Sequence, residues 1–190
     1  MLGYPSAQRF ARCRQIVLIA AALAMMPRPA HAAACDDAMD WNSVMDLEKE
    51  AASLRSQVVR ATIPLVKDER EAVASADPSA HAHALNEQLG LLELANSIAE
   101  TRAKLGTAIS LVEAQQAMRS EGDRAVLRRM IRKLAPSAVD AADNALAASD
   151  EVASSTQRRS IRLLAADIRK FLARTRDAFQ ACVDPASISL

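Results

Sequence analysis

Few side chains in this sequence are of a type and spacing that could do chemistry. They are a His-x-His pair at His81 and His83, the cysteines Cys35 and Cys182, a lone Arg102, and a row of arginines near the C-terminus. Metal binding needs ligands that converge on one point. Two residues two apart on a helix point about 200° away from each other, so His81 and His83 read as solvated side chains rather than a metal pair. The sequence has no Cys-x-x-Cys-His attachment site, and the last helical segment has no histidine, so no haem is expected. Glycine-rich phosphate loops and nucleophile motifs are also missing. The expectation is a protein without metal or cofactor, and more a binder than an enzyme.

The cysteines suggest covalent closure instead. Cys13 lies in a segment that reads as a leader, which leaves Cys35 and Cys182 as an even pair bracketing the rest of the chain. In an oxidising compartment such a pair reads as a disulfide. Closing so long a loop is worth up to about 5 kcal/mol in the chain-entropy picture. A redox or metal role is disfavoured because neither cysteine has a partner at the usual spacing.

Arg102 interrupts an apolar series and must therefore pair, snorkel or hold an anion. Glu48, Glu93, Glu113 and a carboxylate of the third helix are candidate partners, and an anionic small molecule is the alternative occupant. Further on, Arg158, Arg162, Arg169 and Arg176 fall on one helical stripe. Such a stripe could dock an acidic partner protein or, less favourably, an anionic membrane surface. It could also pair with the first helix, because residues 35–78 carry ten acids against five bases.

These residues must be positioned by helices. The 190 residues include 41 alanines but only four glycines and seven prolines, a composition suited to helices and poor for strands and turns. Val44, Leu47, Ala51, Leu54, Val58, Ala61, Leu65, Asp68 and Ala72 recur at three-four spacing and define a first helix, with a kink expected near Pro64. Asp77-Pro78 reads as a helix cap followed by proline at the first helical position. The second seam runs Leu91, Ala95, Ile98, Arg102, Leu105, Ile109, Val112. Ser120 with Asp123 is expected to cap a third helix, broken or kinked at Pro136. Ile161, Leu164, Ile168, Phe171, Thr175, Ala178 and Cys182 mark a fourth. Connections of a few residues make consecutive helices antiparallel. The predicted fold is all-α, an antiparallel four-helix bundle of long, kinked helices, with Cys35 and Cys182 meeting at one end. Trp41, Phe171 and Phe179 are the aromatics of this region, so the core should be thin.

The first residues predict a compartment. Arg9, Arg12 and Arg14 precede eleven apolar residues, Ile16 to Met26, followed by Ala30-His31-Ala32. This is the pattern of a cleaved secretory signal over residues 1–32, leaving 33–190 as one domain. A lipid anchor on Cys35 is the less favoured reading, because Ala32 stands where larger aliphatic residues are usual. Loss of four arginines with the leader leaves 20 basic against 23 acidic residues. A net negative chain is not a nucleic-acid binder held by phosphate neutralisation. The expected function is that of a periplasmic or secreted accessory protein (an inhibitor, immunity factor, adaptor or holdase) acting on a protein partner of the cell envelope. The alternative is a small helical enzyme or binder holding an anionic ligand near Arg102.

Overall fold

The computed structural model describes residues 41–183, and the expected leader, Cys35 and the final seven residues lie outside them. Among the described residues the chain is four helices: α1 (Trp41–Ala74), α2 (Pro78–Ala117), α3 (Glu121–Ser155) and α4 (Arg159–Gln180). Each packs on the next in sequence, and α1 also touches α4. Side-chain pairs fix the directions. Glu48 meets Arg102 and Glu69 meets Gln88, so α1 and α2 are antiparallel. Thr101 reaches Ala141 across α2 and α3, Ser149 reaches Ala165 across α3 and α4, and Arg174 reaches Glu50 across α4 and α1. None of the described helices is long and apolar enough to cross a membrane.

The α1–α2 connection is set by local chemistry. Ala76 takes a left-handed φ of 51°, which lets Asp77 N–H donate to Ala72 and Ala76 N–H to Val73, satisfying the last carbonyls of α1. Oδ1 of Asp77 then accepts from the N–H groups of Ser79 and Ala80 at 3.0 Å each, with Pro78 opening α2. The start of α3 differs from the sequence reading. Ser120 precedes α3 but its hydroxyl makes no cap bond, and α4 begins after Arg158, whose N–H donates to Thr156 Oγ1 at 3.1 Å. Pro64 and Pro136 both lie inside uninterrupted helices. Pro64 is exposed, so the carbonyl that loses its donor on the outer side of α1 can bond water instead.

The core follows the α1 seam closely: Val44, Leu47, Ala51, Leu54, Val58, Leu65 and Ala72 are buried. From α3 the contribution is mostly small side chains, with Ala135, Ala138, Ala141, Ala142 and Ala145 all buried and Leu127, Leu134, Val139 and Leu146 only partly so. Alanine faces let backbones come close. The hydroxyls of Thr101 and Ser149 therefore reach carbonyls of the neighbouring helix, at 3.3 and 3.0 Å, although both residues are fully buried. Phe171, Phe179 and Leu172 of α4 fill the space that the alanines leave.

Candidate interaction surface

The arginine row on α4 is largely occupied within the molecule. Arg158 donates to Asp68 of α1 and, through Nε, to Glu87 of α2 at 3.2 Å. Arg169 pairs with Asp150 at 3.1 Å, Arg176 with Asp143 at 3.8 Å and Asp177 at 3.2 Å, and Arg174 with Glu50 at 2.6 Å. Of the four stripe residues, Arg162 makes no ion pair among the described residues; it is exposed.

Arg158 is the most enclosed of these pairs. Burial alone would lower its pKa, but hydrogen bonds and charge from Asp68 and Glu87 outweigh that, and the guanidinium is held above its ordinary value. The carboxylate of Glu87 is buried and also accepts from Thr156 Oγ1 at 2.5 Å. In the sequence Glu87 shows only as an acid at the second place of a seam that runs Ala84, Glu87, Leu91, Leu94.

Arg102 lies off the seam. Thr101 takes the buried place, its hydroxyl satisfied by the carbonyls of Ser97 and Ala141, and Arg102 stands about 100° further round α2. Its Nε donates to Glu48 at 2.6 Å, with the arginine side chain 45% exposed. Arg102, Arg55, Glu48, Ala99, Ala103 and Gly106 line a groove of about 330 Å³ between α1 and α2. The groove holds two arginines and one glutamate that already bonds one of them. His81 and His83 diverge as their spacing requires: His83 is exposed, and His81 is half-buried beneath the α1–α2 turn. His81 Nδ1 is the one buried side-chain polar atom without a hydrogen-bond partner among the described residues. Among the described residues, no group of three or more His, Cys, Asp or Glu is placed to hold a metal. Cys182 is buried at 2% exposure just beyond α4.

One face is neither folded into the core nor closed by ion pairs. Val59 and Ile63 of α1 are 42% and 66% exposed, Val73 is 60%, and Leu85, Leu89 and Leu92 of α2 are 37%, 55% and 46%. Leu85, Leu89 and Leu92 follow four-three spacing, so they form one stripe, and Val59, Ile63, Val66 and Val73 form another. The register given by Glu69–Gln88 and Glu48–Arg102 sets Ile63 level with Leu92 and Val73 level with Leu85. The two stripes lie side by side on the outer surface of the α1–α2 hairpin. In the sequence this face is hidden, because its apolar residues sit beside the core seam and share its periodicity. No protein-family model, curated protein or solved structure matches this chain.

Proposed function

We propose that this is an exported binding protein of the cell envelope, acting through helix faces rather than by catalysis. The observation that carries the reading is the apolar face of α1 and α2. Six of the large hydrophobic side chains in this structure are exposed there together, and contiguous exposed apolar surface on a folded domain marks an interaction site. Rim charges make it soluble: Arg60, Lys67 and Arg70 along α1, Glu93 and Glu100 along α2. The arginine stripe of α4 is a poorer docking surface than its composition suggests, because a partner would first have to break Arg169–Asp150 and Arg176–Asp143.

Export rests on the leader-like segment, with residues 1–32 removed and the product periplasmic or secreted. A Cys35–Cys182 bridge belongs to the same reading. Arg174 meets Glu50, so two further turns of α4 bring Cys182 to the end of the bundle where α1 begins. Cys35 precedes Trp41 by six residues, a reach of about 20 Å when extended. A photo-crosslinker at Leu89 in cells should capture a protein that one at Arg162 does not. Capture from neither position, or equally from both, would defeat the assignment of this face. Finding the product only in the cytoplasm would defeat export.

A second reading, an anionic small-molecule site at Arg102, is supported by Arg55 and Arg102 sharing one groove. Its measure is a thermal-shift screen with carboxylates, in which a ligand of the folded state raises the midpoint.

A further inference from the structure

We infer that the occupant of the α1–α2 face is a second copy of this chain, in a twofold dimer with its axis parallel to the helices. The inference rests on the binding role proposed above and names the partner. The face is divided by charge. Along α1 its outward charged residues are Arg60, Lys67, Arg70 and Glu71, a row of net positive charge; along α2 they are Glu93 and Glu100. Among the described residues, Arg60, Arg70, Glu93 and Glu100 make no ion pair, whereas Lys67 reaches only Glu71 of its own helix. The charges on the opposite side of the molecule are mostly paired. A surface with basic and acidic halves flanking an apolar centre is complementary to itself once rotated.

Only one of the two simple rotations achieves this. With the axis along the helices, α1 of one copy lies over α2 of the other at the same height. The α1–α2 register then places Arg60 against Glu93 of the second copy, and Ile63 against Leu92 of the second copy. Each contact occurs twice. With the axis across the helices, α1 would face α1 and α2 would face α2, setting arginine against arginine. Burial of the six exposed apolar side chains supplies the attraction, and the charges select the first arrangement.

The test is the mass of the full-length product, as purified, by light scattering over a micromolar concentration series. A dimer is expected. Ile63→Lys with Leu89→Lys should weaken it about 100-fold, because four cations would enter the apolar centre. Both side chains are exposed, so an unchanged helical signal in circular dichroism will verify folding. Arg60→Glu alone should weaken the dimer about tenfold, and Arg60→Glu with Glu93→Arg should restore it. A dimer indifferent to these changes, or unrestored by the exchange, overturns the inference. A monomer whose Leu89 crosslinks a different protein also overturns it, yet leaves the proposed binding role standing. A monomer that instead sediments with anionic phosphatidylglycerol vesicles through Ile63 overturns both and makes the face a lipid surface.

Discussion

Arg158 Nε donates to Glu87 Oε2 across 3.2 Å, tying the loop before α4 to the buried face of α2. The same guanidinium holds Asp68 of α1, and Thr156 completes the coordination of Glu87. Two helices, α1 and α2, and the loop before α4 meet at this one guanidinium. A buried charge with its partners is close to neutral for stability, but one stripped of them is costly. Thr156→Val removes one donor and leaves Glu87 undersatisfied, which should cost about 2 kcal/mol in urea unfolding. Arg158→Met should cost a similar amount, and a joint Glu87→Leu, Thr156→Val, Arg158→Met variant should recover part of it.

Ala76 occupies the left-handed position that ends α1, where a Cβ is unfavourable. Ala76→Gly should therefore stabilise the fold by about 1 kcal/mol, despite glycine's greater freedom when unfolded. The midpoint in urea should rise with no change in slope. A fall would mean that the turn relaxes to a conformation that tolerates alanine.

Gly106 is a helix-interior glycine with room for a side chain, because nothing lies within 4 Å of the place a Cβ would take. Gly106→Ala should add about 0.8 kcal/mol from helix propensity. Gly90 is tighter, with Val152 Cγ2 at 3.5 Å from that place, yet this is ordinary contact and Gly90→Ala should also be tolerated. Thermal unfolding of the two variants will rank them.

Glu121 opens α3, and the hydrogen bond and charge of Arg128 hold its carboxyl below the ordinary carboxylate value. Its contribution is present in full above the unfolded glutamate range and disappears as pH falls through the lowered value. The difference in stability between the parent and Glu121→Gln should accordingly be constant near neutrality and shrink in acid. The carboxylate is exposed, so salt should shrink it too. A difference that grew on acidification would contradict this account.

Arg102 bonds Glu48 at a half-exposed position, so Arg102→Met should cost less than about 1 kcal/mol. A larger loss would show that the pair is structurally important. Loss of a carboxylate-induced thermal shift, with stability kept, would favour the small-molecule reading.

Periodicity found the helices because each presents one apolar stripe to one core. In α1 seven of the nine seam residues are buried, Ala61 packs on the core at its edge, and Asp68 turns to Arg158. The same counting misplaced the α2 seam by one residue at Arg102. A step of three or of four from Ile98 is equally permitted, and neither Thr101 nor Arg102 is apolar. What settles it is a neighbour: the Ala141 carbonyl of α3 offers Thr101 a bond that no one-dimensional pattern contains.

The amino-acid order alone determined the four helices, their prolines and the Asp77 cap, because these depend on residues within a few positions of one another. It also placed most of the buried seam. Which arginines would be taken up by internal pairs, and which apolar side chains would remain outside, was decided by the tertiary structure. Arg158 finds Asp68 ninety residues away, and Ile63 comes level with Leu92 only when α1 and α2 fold back on each other. A surface is a property of neighbouring helices, and charge and exposure are assigned to it only when the helices meet.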